Sequence, residues 1–421
     1  MRGHMERMLQ RLRRLAERLW VRIAAIAALA LVAVGLAGIA APLVPDGVSG
    51  FVTARAADDI LDIIASSMLS VTIFSLSVMV TIHRAVSGQW TPRAHRLLVS
   101  DRVTMTLLAT FMGAWLFALT AIILRSVAFI GEDEIIVLFG MTMIVVALIV
   151  VAIVRWIAHL RDLGSLNQTG DRIEWEATQA LDGRMERPCL GGRPLVGDGS
   201  TIPADSVPVR ADRTGWVSYI YGEELSGLAE ERETEIWIVS VTGRFVHRGD
   251  VLARVGRGGE EIERRLREGI EVAKVRTFDQ DPRFGLVVLG EVASKALSPG
   301  INDAGTAIDA VGRIARVLDR WRSERAEGEP ERPRLHVPPL RASDLMEDAF
   351  APIARDGAGV VEVQIHLQQT LAALARHAEP SMAAAARAMA EEARDRAMDA
   401  LSGWDVERFE RALPPLLRRA A

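Results

Sequence analysis

A strip of polar residues follows one face of an apolar stretch near the start of the chain. With 100° of rotation per helical residue, eight positions fall within an arc of about 100°. These positions, called the polar arc, are Asp59, Asp62, Ser66, Ser70, Ile73, Ser77, Thr81 and Arg84. Hydroxyl groups between carboxylates and an arginine could line an aqueous path, and Ile73 could close it by dewetting. The pattern predicts a pore-lining face, made by several copies of this helix around an axis.

Plain helix packing is the alternative interpretation of the polar arc. Small hydroxyl residues are also the usual means by which membrane helices approach closely and hydrogen-bond. The next apolar stretch has a comparable face, with Thr106, Thr110, Gly113 and Thr120. The ionisable residues of the arc lie at its ends, where exposure to water costs little. A water-lined path and helix packing therefore both stay open.

A second candidate site lies in the C-terminal half of the chain. Its residues are Glu291, Lys295, Ser298, Pro299, Gly300, Asn302 and Asp303. Pro299 and Gly300 must break a helix, and Asn302 or Asp303 can cap the next one. Free carbonyls and amides at such a break could hold a small anion, or the break is a tight turn. Glu291 and Lys295 have the i,i+4 spacing of an ion pair.

Catalytic and metal-binding patterns are missing from the sequence. The histidines are scattered, and His83 and His95 do not have the close spacing of paired metal ligands. There is no HExxH, GxSxG, phosphate-binding loop or dinucleotide fingerprint. The single cysteine, Cys189, excludes a disulfide framework within the chain and a CxxC metal site. We therefore expect a protein that is not an enzyme and that binds no metal or cofactor.

Four apolar stretches must position the polar arc. Half of the residues are hydrophobic and a quarter are charged, so the two kinds must be segregated along the chain. Each stretch has the roughly 20 residues that a helix needs to cross the hydrocarbon core of a bilayer. The predicted spans are 21–44, 60–82, 103–124 and 135–157. Residues 1–160 are thus predicted to form a membrane domain of four helices.

The distribution of arginine predicts the orientation of these spans. The N-terminal tail and the connector between the second and third spans are basic, whereas the other two connectors are mostly acidic. Both termini are therefore expected on the cytoplasmic side of the membrane. The basic connector includes Trp90, Pro92, Arg93, Arg96 and Arg102. Trp90 among arginines is typical of an interfacial anchor on anionic headgroups, and we expect this connector to touch the soluble part.

The remainder of the chain predicts a cytoplasmic α+β domain. Residues 161–213 form a connector, residues 214–258 alternate as the short strands of a small β-barrel or sandwich, and residues 259–421 are mainly helical. The last region includes a predicted helix over 260–273 and a predicted exposed loop over 323–335. The net charge of -4, without a basic stripe that carries aromatic residues, excludes nucleic acid as a partner.

Several motifs together resemble one family. They are Ser87-Gly-Gln-Trp-Thr-Pro-Arg93 with Asp101-Arg102, and Arg276-Thr-Phe-Asp-Gln-Asp281 with Phe284-Gly285 and Ala296-Leu-Ser-Pro-Gly-Ile-Asn-Asp303. In this order and spacing they are similar to the bacterial predicted membrane proteins of domain of unknown function 2254. The resemblance covers most of the chain and implies an integral membrane protein, but it implies no activity. One departure is Ala304-Gly305, where members often carry a proline.

Two functions are compatible with the sequence. The first is a homo-oligomeric channel or transport protein, whose second span lines the path and whose cytoplasmic domain regulates it. The second is a membrane-anchored sensor or scaffold, whose soluble half binds a small ligand or a partner protein. A channel needs several subunits, because four helices in one chain do not easily enclose an aqueous path. The predicted partners are the lipid bilayer, further copies of the chain, and a small ion or ligand.

Overall fold

The protein consists of two compact units. The computed structural model describes Val21 and residues 54–87, 91–94, 102–126, 135–162, 166–195, 197, 201–323 and 329–417. The described residues of 2–88 and 95–168 form one unit, which we call the helical unit. The described residues of 89–94 and 169–421 form the other, which we call the mixed unit. The middle of the predicted basic connector therefore belongs to the mixed unit.

Three long helices make up most of the described part of the helical unit. They are α1 Ala54–Ser87, α2 Arg102–Ser126 and α3 Ile135–Asp162. Each contains a stretch long and apolar enough to cross a membrane, namely Arg55–Ile82, Val103–Ser126 and Leu138–Leu160. These helices agree with three of the four predicted spans. The predicted first span, 21–44, lies outside the described residues apart from Val21.

Polar contacts join the helices of the helical unit near the two ends of α2. Near its C-terminal end, Arg125 makes a two-pronged ion pair with Asp58 of α1, with Nη2–Oδ2 and Nε–Oδ1 distances of 2.9 and 2.6 Å. Near its start, Thr104 Oγ1 and His159 Nε2 of α3 are 3.0 Å apart. Between these contacts, α2 contributes apolar residues such as Phe111 to a buried core shared by the three helices. These contacts determine which faces of α1, α2 and α3 pack against one another.

The mixed unit contains two β-sheets. Their strands are β1 Gly192–Pro194, β2 Val207–Arg210, β3 Gly215–Ile220, β4 Ile236–Ile238, β5 Phe245–Val246, β6 Val251–Val255, β7 Ile270–Ala273 and β8 Arg332–Val337. One sheet has the order β1-β8-β4-β6-β2, and the other has the order β5-β3-β7. Strand β8 runs parallel to β1 and β4, and the other pairs are antiparallel.

The sheets use strands from outside the predicted β unit as well as within it. The predicted strands within 214–258 are confirmed, but the predicted helix over 260–273 is wrong in its last part. That helix ends at Glu268, and Ile270 then pairs with Ile220 of β3. The predicted loop over 323–335 is also wrong in its last part, because Leu335 of β8 is buried and pairs with β4. Closure of the strands into a barrel or sandwich stays a prediction.

Helices complete the mixed unit. They are α4 Leu166–Glu186, which enters this unit at Thr169, α5 Gly222–Glu231, α6 Glu260–Glu268, α7 Pro282–Ala296, α8 Ala304–Leu318, α9 Ala342–Asp356, α10 Val361–Leu374, α11 Pro380–Ala400 and α12 Trp404–Ala412. Helices α5 and α6 share a core with the sheets. Helix α7 packs against α8 and α9. Its Gly285 allows a close approach to α4, since a Cβ there would overlap that of Ala177.

Candidate functional site

All eight residues of the polar arc are exposed on the single chain. The opposite face of α1 is buried, and α1 packs against α2 and α3. That buried face carries Leu61, Ile64, Met68, Thr72 and Ser75. Exposed apolar side chains flank the arc, among them Phe74 on one side and Leu76 on the other. The arc therefore runs along the middle of the face that α2 and α3 leave open.

The hydroxyl groups of the arc hydrogen-bond within α1. Ser66 Oγ donates to the carbonyl of Asp62 at 2.8 Å, and Ser77 Oγ donates to that of Ile73 at 2.9 Å. Thr81 Oγ1 repeats this bond to the carbonyl of Ser77 at 2.9 Å. Each hydroxyl thus has a partner for its proton, while its oxygen can still accept a hydrogen bond. The arc presents a line of acceptors that water or a second helix can use.

The middle of the basic connector is a helix start. Helix α1 ends at Ser87, and helical residues resume at Pro92. The amide of Ala94 donates to Thr91 Oγ1 at 3.3 Å, so Thr91 caps this turn and Pro92 occupies the first helical position. Trp90 and Arg96 lie outside the described residues, and Arg102 is the first residue of α2.

An ion pair within the mixed unit attaches this connector segment to α7. The guanidinium of Arg93 pairs with the carboxylate of Glu291, and the two side chains are 38% and 28% exposed. A pair this accessible to water contributes at most about 1 kcal/mol to stability. The i,i+4 pair of Glu291 with Lys295 stays a prediction. The contact matters because the same connector continues covalently into α1 and α2.

The break between α7 and α8 is closed by its own hydrogen bonds. The amide of Asp303 donates to Ala296 at 2.8 Å, and that of Asn302 donates to Ser298 at 2.9 Å. Asn302 has a φ of 51°, a left-handed conformation that asparagine tolerates well. Ser298 Oγ donates to the carbonyl of Lys295 at 2.6 Å. These bonds favour the interpretation as a tight turn, in which Pro299 and Gly300 are exposed.

Asp303 is the N-cap of α8. Its carboxylate accepts hydrogen bonds from the Thr306 amide at 3.0 Å and from the Thr306 hydroxyl at 2.6 Å. The hydroxyl bond, followed by the amide bond, lowers the pKa of Asp303 below its usual value. The predicted capping role of Asp303 is therefore confirmed. It stabilises the start of α8, and it also occupies the amides that an anion would need.

The sequence analysis missed a buried network around Asp281. Arg276 Nε and Nη2 lie 2.6 and 3.1 Å from the two carboxylate oxygens of Asp281, whose side chain is only 3% exposed. The same carboxylate accepts the amides of Arg283 and Phe284, which caps α7. The Arg276 guanidinium also lies 5.3 and 5.1 Å from the ring centres of Trp216 and Phe284. Asp281 followed by a proline before an apolar run could have revealed the cap.

Gln280 extends this network to the sheets. Its side-chain amide accepts a hydrogen bond from the backbone amide of Ile220 at 2.9 Å and donates to the Ile220 carbonyl at 3.2 Å. The carbonyl of Gln280 accepts the Thr242 hydroxyl at 3.0 Å. Residues 276–281 therefore fasten β3 and the segment after β4 to the start of α7. Residues 276–281, which belong to the motifs that resemble the family, therefore have a structural role.

An open cleft of about 860 Å³ adjoins this network within the mixed unit. Its charged lining consists of five arginines and two aspartates: Arg184, Arg244, Arg254, Arg283, Arg341, Asp281 and Asp344. Arg283 contacts Asp348 and Asp344 at 2.5 and 3.2 Å, and the bond to Asp348 raises the pKa of Arg283. Across the described residues, no group of three or more His, Cys, Asp or Glu side chains could hold a metal ion. The cleft was not among the predicted sites.

Comparisons with known proteins identify relatives of this chain. The model of a family described as "Predicted membrane protein (DUF2254)" matches residues 16–373. The uncharacterized proteins Mb1321c of Mycobacterium bovis and Rv1290c of Mycobacterium tuberculosis are each 24% identical over 274 residues, which cover 61% of this chain and 51% of theirs. The chain thus matches about half the length of these curated relatives. No solved structure matches.

Proposed function

Because the chain belongs to the DUF2254 family of predicted membrane proteins, we propose that it is a homo-oligomeric channel or transport protein. Copies of α1 surround a polar path in this assembly. The observation that carries the proposal is the exposure of the entire polar arc, opposite the face of α1 that packs against α2 and α3. The hydroxyl oxygens of the arc can still accept hydrogen bonds, which lipid tails do not donate and which water in a path between subunits would donate. The proposal puts the protein in a bacterial inner membrane with both termini in the cytoplasm.

Ile73 is the proposed constriction of the path. Its side chain is 58% exposed and is the apolar member of the arc between Ser70 and Ser77. A ring of isoleucines contributed by several subunits would repel water and close a narrow path. Polar residues on both sides of the ring would keep the rest of the path wet. The mixed unit would regulate the path through Arg93 and Glu291, because the Arg93 segment continues into α1 and α2.

Ion flux into liposomes tests this proposal. Full-length protein is reconstituted, and the flux of K⁺, Na⁺ and Cl⁻ is followed with fluorescent indicators. Replacing Ile73 with serine should remove the apolar ring and raise the flux at least tenfold. Phe74→Ser is the matched control, since Phe74 is 65% exposed but lies outside the arc, so this change should leave the flux unaltered. The channel proposal would be contradicted if neither the wild type nor Ile73→Ser conducted ions and the protein were monomeric.

A membrane-anchored sensor or scaffold is the second candidate function. The arginine-lined cleft and the ion pair between Arg93 and Glu291 favour it, because they link a cavity-bearing unit to a segment that leads into two apolar helices. In this case a ligand or partner protein would bind the mixed unit, and nothing would cross the membrane. Ligand binding without flux would distinguish the sensor from the channel. Neither candidate assigns a catalytic step to the protein.

A further inference from the structure

We propose that the arginine-lined cleft of the mixed unit binds a small organic anion that carries a phosphate group. The inference goes beyond the channel proposal, because a binding site in this unit does not require transport. It rests on three features of the cleft: its surplus of positive charge, the hydrogen-bonding state of its arginines, and its size and apolar walls. Each feature is a property of described residues within the mixed unit.

The carboxylates of the cleft are already engaged by arginines. Asp281 is held by Arg276, and Asp344 contacts Arg283 at 3.2 Å. Five arginines against two aspartates leave a surplus of three positive charges in the lining. Such a surplus attracts a multiply charged anion, and an arginine fork matches the geometry of phosphate oxygens. The charge of the cleft therefore favours a phosphate ester or a diphosphate over a single carboxylate.

Three of the lining arginines keep donors for a ligand. Arg244 donates to the Val239 carbonyl at 3.2 Å, and Arg254 donates to the hydroxyl and the carbonyl of Ser206 at 2.8 and 2.6 Å. Within the described ranges, neither these two arginines nor Arg341 forms an ion pair with a carboxylate. A guanidinium has five N–H groups, so most of their donors stay available.

Two arginines of α8, which do not line the cleft, behave differently. Arg313 of α8 pairs with Asp171, Glu174 and Asp309, at distances from 2.5 to 3.1 Å. Arg316 also pairs with Glu174, at 2.6 Å. There the fold provides a carboxylate for each guanidinium, and the ion pairs join α8 to α4. At the cleft, by contrast, the groups that accept hydrogen bonds from Arg254 are the neutral hydroxyl and carbonyl of Ser206. The positive charge of Arg254 therefore stays available to an anion.

The shape of the cleft suits a ligand with an apolar part. Its volume of about 860 Å³ lies within the range of small-molecule sites, roughly 300–1,000 Å³. Val241, Val251 and Leu340 contribute apolar surface to its walls. Ser206 holds Arg254 in place before a ligand arrives, which reduces the entropy lost on binding. A phosphate alone would occupy a small part of this space, whereas a phosphorylated organic molecule would fill it.

Binding of pyrophosphate and phenyl phosphate to the full-length protein tests this inference. The protein is held in nanodiscs of phosphatidylcholine, and binding is measured by calorimetry and by the rise in Tm, with sodium chloride at equal ionic strength as the reference. We expect saturable binding of both probes that sodium chloride does not reproduce. The double variant Arg244→Gln/Arg341→Gln should raise both dissociation constants at least tenfold. Both side chains are exposed, so the Tm without a probe should not change.

Arg248→Gln is the matched control. Arg248 is exposed and close to Arg244 in the sequence, but it does not line the cleft, so its replacement should leave both dissociation constants unaltered. Nanodiscs that contain phosphatidylglycerol identify the source of the phosphate. Competition with the probes would assign the site to a lipid headgroup, and undiminished binding would assign it to a soluble organic phosphate. Absence of saturable binding in the wild type, or equal weakening by Arg248→Gln, would overturn the inference.

Discussion

The hydroxyl groups of the polar arc hydrogen-bond within a single helix, whereas the polar network at the start of α7 joins elements that are distant in the sequence. Along α1, Ser66 and Ser77 donate to carbonyls one turn earlier in the same helix. In the mixed unit, Gln280 bonds to the backbone of β3, and Arg283 bonds to Asp348 of α9. Local bonds leave a helix face available for assembly, whereas bonds between distant elements hold a fold together. Substitutions in the two units should therefore have different consequences.

The largest loss of stability should follow from Asp281→Ala. This change leaves the Arg276 guanidinium, 13% exposed, without its counterion, and it removes the cap of α7. Breaking a buried ion pair in this way costs about 3–5 kcal/mol. Thermal unfolding of the full-length protein in detergent measures the effect. Asp212→Ala is the control, because Asp212 and Arg213 form an exposed pair worth less than about 1 kcal/mol. Equal losses in the two variants would show that the Asp281 network does not hold the fold.

Gly285→Ala should cost less. The new methyl group would overlap Ala177, so α7 and α4 must move apart, which typically costs about 1–3 kcal/mol. Gly227→Ala is the matched control, since no atom lies within 4 Å of a Cβ at that helical position. It should stabilise α5 by about 0.5–1 kcal/mol. Opposite shifts in Tm are therefore expected, and a stabilising Gly285→Ala would contradict the close contact between α4 and α7.

A smaller effect, about 1 kcal/mol, is expected for Asp303→Ala, which removes the cap of α8. Asp303→Asn should retain most of the stability, because an amide oxygen also caps a helix. The folded pKa of Asp303 is lowered by the hydroxyl and amide of Thr306. The ionised cap therefore stabilises the fold above the unfolded pKa, and this contribution is lost as the pH falls through the folded pKa. Unfolding of the wild type and both variants across acidic pH should show this loss in the wild type alone, because neither alanine nor asparagine titrates.

The smallest change in stability is expected for Ser70→Ala in the polar arc. Ser70 is exposed, and its hydroxyl makes a long 3.4 Å bond to the carbonyl of Ser66 within α1. The free energy of unfolding should therefore change by less than about 0.5 kcal/mol, and the Tm should stay close to that of the wild type. Flux through reconstituted protein should nevertheless fall, since a polar group of the proposed path is lost. A large drop in Tm would instead indicate that the hydroxyl serves helix packing.

The sequence predicted local features well and distant pairings poorly. The polar arc and the Asp303 cap depend on residues within a few positions of one another, so periodicity and capping rules found them. The strand β8 was missed because its burial depends on β4, almost a hundred residues earlier in the chain. Asp281 carries a visible capping pattern, but its pairing with Arg276 inside a buried network depends on the packing of β3 and α7. The cleft was missed for the same reason, since its arginines come from separate elements.

The central claim is that the polar arcs of neighbouring subunits face one another. Disulfide cross-linking in membranes tests this claim most directly. The native Cys189 is buried at 1% exposure, so the wild-type protein provides the background without cross-links. Ser70→Cys should form dimers linked through the introduced thiol on mild oxidation, whereas Phe74→Cys, which is exposed outside the arc, should form few. Cross-linking at position 74 but not at position 70, or at neither, would contradict an axis lined by α1.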